Sequence, residues 1–232
     1  MAEIAHFTFS AKGNQNLNED YIGTFSAEND SLYFVCDGHS TYGYGELGAR
    51  TVSAEIMQYI NDNYSQQEPV EIIENAVKTA NEAIWNKREE IKSKFGAAIA
   101  GIYRKNNSVY AFWIGDVRIY QLRGNLTIFQ SEDHSLSNFL KHSSQAAMQQ
   151  AENYDNILTA SITGRGIDRL TINKIPILKG DSMIICSDGF WKNFPDNINT
   201  LAGLSDKKLK NKLTDYNEHF LDNYSVIKLS FR

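Results

Sequence analysis

Cysteine, proline, histidine pairs and long apolar runs are all scarce in this chain of 232 residues, and each absence narrows the reading. Two cysteines cannot build a disulfide framework. Both lie inside apolar stretches, Tyr33-Phe34-Val35-Cys36 and Met183-Ile184-Ile185-Cys186, where a buried reduced thiol is expected. Neither has an arginine at the offset of a phosphate-cradling Cys-x5-Arg loop, which counts against tyrosine-phosphatase chemistry. The five histidines show no i/i+4 pair and no cysteine neighbour at zinc-ligand spacing. No apolar run approaches the ~20 residues of a membrane span. Met1 to Ser10 shows no basic segment leading into an apolar stretch, so no secretory signal is read and a cytoplasmic protein without a membrane partner is expected.

Basic charge is also short. The 23 Lys and Arg face 28 Asp and Glu, a net charge of −5, which speaks against a nucleic-acid partner. Lys207, Lys208, Lys210 and Lys212 alternate with Leu209 and Leu213 and read as the solvated face of a short helix. With only three prolines, no repeat and no Gly/Ser linker, residues 1–232 read as a single domain, expected to be a monomer.

Short apolar or alternating segments predict strands near 4–10, 20–26, 31–37, 97–103, 108–114, 117–122, 126–130, 169–175, 182–187 and 224–231. Turn signals at Lys105-Asn106-Asn107, Gly115-Asp116 and Arg123-Gly124-Asn125 predict three hairpins. Val52, Ile56, Tyr59 and Ile60 predict one long helix. Pro69 opens a second, striped by Ile73, Ala76, Val77, Ala80 and Ile84. Shorter helices are expected near 136–151 and 205–213. Consecutive helices followed by hairpin-linked strands give an α+β fold with antiparallel sheets and helices outside. Trp85 and Trp113 are expected in the core, with Trp191 beside the acidic residues described next.

Those acidic residues fall where predicted strands begin or end: Glu19-Asp20, Asp37-Gly38-His39, Asp188-Gly189 and Asp222-Asn223. Asp-Gly is also an ordinary turn dipeptide, so each alone reads as a turn first. Carboxylates at the rim of a core need a counterion, and a shared pair of metal ions is the natural one. Carboxylate and carbonyl oxygens are hard ligands that suit Mg²⁺ or Mn²⁺ and not zinc.

In order along the chain come Asn18-Glu19-Asp20, Val35-Cys36-Asp37-Gly38-His39, Phe95-Gly96-Ala97-Ala98, Gly115-Asp116-Val117-Arg118-Ile119-Tyr120, Asp133-His134-Ser135, Cys186-Ser187-Asp188-Gly189-Phe190-Trp191 and Asp222-Asn223-Tyr224-Ser225. Together they resemble the metal-dependent type 2C Ser/Thr protein phosphatases, the PPM family, from about residue 8 to the C-terminus. The resemblance implies an αββα sandwich, two central antiparallel sheets flanked by helix pairs, with two Mg²⁺ or Mn²⁺ ions at one end. It also implies metal-activated water hydrolysing phosphoserine or phosphothreonine on a protein, with a Ser/Thr kinase as a further partner. Asp20, Asp37, Asp188 and Asp222 match the family's ligand aspartates, Gly38 its carbonyl ligand, Glu19 the acid that holds a metal-bound water, and His39 the general acid. His134 matches a structural turn.

Three positions depart from the family pattern. Gln15 stands where a phosphate-gripping arginine is usual, and Lys192 where an aspartate joins the residue matching Asp116 around an additional metal. Ala98 replaces a threonine nearby. Gln15 and Lys192 are therefore candidate phosphate contacts, and Asp116 a candidate ligand for the additional ion. These departures also open a second reading, a pseudophosphatase that binds a phosphoprotein or kinase without turnover. A third, hydrolysis of a small phosphorylated metabolite, shares the same chemistry.

Overall fold

The computed structural model describes residues 3–143, 154, 157–195, 197–217 and 219–232. Ten strands form two antiparallel sheets. One sheet holds β2 (Asp20–Ala27), β3 (Asp30–Ser40), β4 (Phe95–Lys105), β5 (Ser108–Ile114) and β8 (Thr171–Ile175), in that order. The other holds β1 (Ile4–Ala11), β10 (Tyr224–Phe231), β9 (Ser182–Cys186), β6 (Arg118–Arg123) and β7 (Leu126–Gln130).

Side-chain alternation sorts each strand between two layers. Leu32, Phe34 and Cys36 of β3 pack under the long helices α1 (Gly45–Asn63) and α2 (Pro69–Ile91), against Val52, Ile56, Ile73 and Ile84. Tyr33 and Val35 face the other sheet and meet Ile185, Ile227 and Leu229. The far side of that second sheet, through Ile184, Cys186 and Val226, is covered by α4 (Asp188–Asn193), α5 (Ile198–Ala202) and α6 (Asp206–Tyr216). The order of layers is thus helix, sheet, sheet, helix. Both cysteines are buried and free, and Leu209 and Leu213 bury while Lys207, Lys208 and Lys210 stay exposed.

Four expectations need correction. Gly115-Asp116 is no hairpin: β5 and β6 belong to different sheets, and this turn carries the chain between them. The φ of +116° at Gly115 allows that crossing, and a Cβ there would lie 2.3 Å from Cβ of Ala98. Asp188 closes β9 but also begins α4, a helix too short for periodicity to reveal, as is α5. The helix expected over 136–151 includes α3 (Leu136–Lys141) and gives way to a turn at 142–143, while 144–151 lie outside the described residues. Trp85 is not core: it is 47% exposed, because the stripe that buries α2 runs through Ile73, Ala80 and Ile84 and leaves its ring outside. Trp113 is buried as expected.

Candidate metal centre

Antiparallel register places Asp20 opposite Asp37, and Asp37 opposite Ala98. Asp20 shares a face with Ile22, and Asp37 with Val35, so both carboxylates fall at the open end of the layer between the sheets. Ser187, in the same alternation as Met183 and Ile185, comes to that end from the opposite sheet. Like charges directly opposite on neighbouring strands destabilise a sheet. The arrangement therefore makes little sense as scaffold alone.

A cavity of about 330 Å³ opens here, and its walls include Glu19, Asp37, the Gly38 backbone, His39, Asp116 and Asp188, with Lys192, Asp222 and Asn223 on the rim. Burial raises the Asp37 carboxyl well above its usual range, and the charges of Asp20, Asp188 and Asp116 raise it further. Burial, with Asp188 and Asp133, pushes Asp116 up to about 7. Asp222 is raised too, by burial and then Asp188. These are the marks of carboxylates crowded together without enough positive charge.

Asp20 is 8% exposed, beside the cavity that Asp37, its register partner, lines. Ser187 Oγ donates to its Oδ2 at 2.7 Å and accepts the Ser225 N–H at 2.9 Å. Its Oδ1 is buried and makes no hydrogen bond among the described residues. Burial pushes its pKa up to about 7 despite the Ser187 bond. Glu19, expected one step further from the ions, is the member of the pair that reaches the cavity wall. A Cβ on Gly45 would stand 2.4 Å from Glu19 Oε2, so the helix start leaves room for that carboxylate.

Asn223 holds this geometry, a role the sequence motif did not disclose. Its Oδ1 accepts the Glu19 N–H at 2.7 Å, and its Nδ2 donates to the carbonyls of Lys12 and Leu17, both at 2.9 Å. Ser187 and Ser225 likewise stand within the motifs without a role that the sequence discloses. A serine beside an Asp-Gly carries no spacing signal of its own. Gly38 passes so close to α1 that a Cβ would meet the Gly45 carbonyl oxygen at 2.0 Å, and its N–H donates to the Glu19 carbonyl.

His39 lies on the cavity wall, its Nε2 2.9 Å from Ser161 Oγ. Burial and then Arg88 lower its pKa. Lys192 Nζ donates to Asp188 Oδ2 at 2.7 Å, so an ammonium already stands within the acidic group. Gln15 does not reach the cavity: its Nε2 donates to the Leu221 carbonyl at 2.8 Å. Arg118 pairs with Asp133 at 2.7 Å and lies over the Trp191 ring, 3.4 Å from its centroid, while Trp191 Nε1 donates to the Asp116 carbonyl. His134 is held to the Gly115 backbone, its Nδ1 accepting the Gly115 N–H and its own N–H donating to the Gly115 carbonyl.

As these side chains stand, no three of the described His, Cys, Asp or Glu residues converge on one point tightly enough to grip an ion. The chemistry of the group still fits hard divalent cations. Its donors are carboxylate and carbonyl oxygens, and one buried carboxylate oxygen, Asp20 Oδ1, is orphaned.

The family profile for protein phosphatase 2C matches residues 10–224. A serine/threonine phosphatase, stp, of Listeria monocytogenes is 22% identical over 191 residues, which is 77% of this chain and 74% of that protein. The crystal structure of the Mycobacterium tuberculosis serine/threonine phosphatase PstP superposes with a TM-score of 0.84 at 20% identity, covering 99% of each chain. A structure of the PstP catalytic domain in complex with 2 manganese ions gives 0.82 at 21% identity, covering 100% of this chain and 99% of that one.

Proposed function

The chain belongs to the protein phosphatase 2C family, and on that premise we propose that it is a divalent-metal-dependent enzyme that hydrolyses phosphoserine and phosphothreonine on protein substrates. The carrying observation is the placement of Asp20 opposite Asp37 at the mouth of the sandwich, with Asp188 and Asp222 brought to the same cavity from the other sheet.

Asp20, Asp37, the Gly38 carbonyl, Asp188 and Asp222 would hold two Mg²⁺ or Mn²⁺ ions, with Glu19 holding a water bound to them and Asp116 available to any additional ion. When bound, such ions supply charge neutralisation and an acidified water for attack on phosphorus. The chain itself does the remaining work. Ser187 and Asn223 fix Asp20 and Glu19, so the acidic group does not reorganise during the reaction. Lys192 brings a charge to the rim that can meet a phosphate oxygen. Gln15, turned to the Leu221 carbonyl, would contribute only after rotating. Attack breaks the bond between phosphorus and the seryl oxygen, and His39 Nε2 hands a proton to that oxygen in the place now held by Ser161 Oγ. An adjacent phosphate dianion favours the protonated imidazole, opposing the effect of Arg88.

The partner class is therefore a phosphorylated protein, with a Ser/Thr kinase as the supplier of its phosphate. Among the described residues no helix is long and apolar enough to cross a membrane. One observation favours the pseudophosphatase reading: Lys192 already neutralises Asp188. The deciding experiment is phosphate release from a phosphoserine peptide with Mn²⁺, with and without chelator, beside Asp37→Asn. Chelator-sensitive release that Asp37→Asn abolishes supports hydrolysis. Tight phosphopeptide binding without release supports the binding module instead.

A further inference from the structure

We infer that a cationic track beside the cavity selects phosphopeptides with an acidic residue a few positions from the phosphorylated one. This rests on the hydrolytic reading only for where the phosphate sits.

The segment after Leu158 is the wall between the cavity and the track. Ile162 pairs with Ala97 through both backbone bonds, at 3.1 and 2.9 Å, extending the sheet at the place β5 leaves free. Gly164, at φ +81°, presses against the Trp85 backbone and donates to Asn81 Oδ1 at 2.7 Å. Arg88 donates to the Thr163 carbonyl. A segment pinned at three points presents its side chains from a fixed base.

From that base Arg165 and Arg169 point into a groove of about 480 Å³ that shares Leu158 with the catalytic cavity. Ser161, the partner of His39, lines the groove as well. Both arginines are exposed, and among the described residues neither forms an ion pair. Arg169 only donates to Thr159 Oγ1 at 3.2 Å. Asp168 is a single opposing charge on the wall, so the groove stays net positive in a chain of net charge −5. Arg165 also lines the next cleft, with the half-exposed Trp85. Cavity, arginine groove and tryptophan cleft thus join end to end. That run suits an extended peptide, which advances about 3.3 Å per residue, rather than a small metabolite.

The test is binding, which separates this inference from the hydrolytic one. Two pairs of fluorescent peptides carry a non-hydrolysable phosphoserine analogue and differ within a pair only in Glu or Gln a few residues away, on the N-terminal side in one pair and on the C-terminal side in the other. Anisotropy with the wild-type protein and Mn²⁺ should show about five- to tenfold tighter binding of one Glu peptide, as expected of two exposed charge contacts, and the difference should shrink in high salt. Arg165→Gln with Arg169→Gln should bring the ratio to about one, while Arg165→Lys with Arg169→Lys should keep most of it. Equal binding of Glu and Gln peptides by the wild type, or an unchanged ratio in the Gln double variant, overturns the inference. A retained preference together with no phosphate release from the matching hydrolysable phosphoserine peptide overturns hydrolysis and leaves the track standing.

Discussion

Asp20 and Asp37 face each other as register partners on adjacent antiparallel strands, and both are buried or nearly so. Two carboxylates in that relation repel each other and resist ionisation. A sequence that places them there gives up stability unless a cation relieves the crowding. Three predictions test how the surrounding residues manage that group, and a fourth tests an ion pair away from it.

Lys192 is the first. Its ammonium competes with an incoming ion for Asp188 Oδ2. Losing a charged hydrogen bond of about 1.5 kcal/mol should tighten Mn²⁺ binding by about tenfold in Lys192→Ala, read by titration calorimetry. The same variant should raise the KM for a phosphopeptide. An unchanged affinity would show that the ammonium swings aside without cost, and an unchanged KM would remove it from phosphate binding.

Ser187→Ala removes the donor to Asp20 Oδ2 and the acceptor of the Ser225 N–H, both in buried positions. Stranding two buried polar groups should cost about 2–3 kcal/mol. For a domain of this size that lowers Tm by roughly 5–10 °C. Thermal melts in chelator measure it, and a drop under 2 °C would mean that water or a rotated carboxylate replaces the hydroxyl.

His39→Ala should slow release from an alkyl phosphoserine peptide about a hundredfold or more, the lower range for a positioned acid. Loss on p-nitrophenyl phosphate should be much smaller, since that leaving group departs without a proton. Comparing kcat on the two substrates decides the matter. Equal losses would assign His39 to holding Ser161 rather than to proton transfer.

The last prediction concerns acid stability away from the site. Asp181 is 1% exposed and bonds Arg123 Nε at 2.8 Å, Arg123 Nη2 at 2.9 Å, Gln121 Nε2 at 3.0 Å and the Leu178 N–H at 2.9 Å. The Arg123 bonds lower its pKa below the ordinary aspartate value. A depressed folded-state pKa adds stability that is present above the unfolded value near 3.8 and lost as pH falls through the folded one. Asp181→Ala should therefore destabilise by about 1–3 kcal/mol at pH 7, with the gap to wild type closing below about pH 4. Urea titrations across pH check this; a gap that persists at pH 2 would place the loss in packing instead.

Local pattern carried much of this protein. Alternation in Leu32–Cys36 and Met183–Cys186, and helical spacing in Val52–Ile60 and Ile73–Ile84, specify elements because each side chain's face follows from position alone. The carboxylates at strand ends were visible for the same reason. Which strands pair is a matter of contacts distant in the chain, so tertiary structure alone separated β5 from β6, brought Ser187 onto Asp20, and turned Gln15 toward Leu221. It also brought Lys192 onto Asp188 and lined Arg165 and Arg169 beside Ser161. Those outcomes depend on distances between segments, and distance between segments is not written in the period of any one of them.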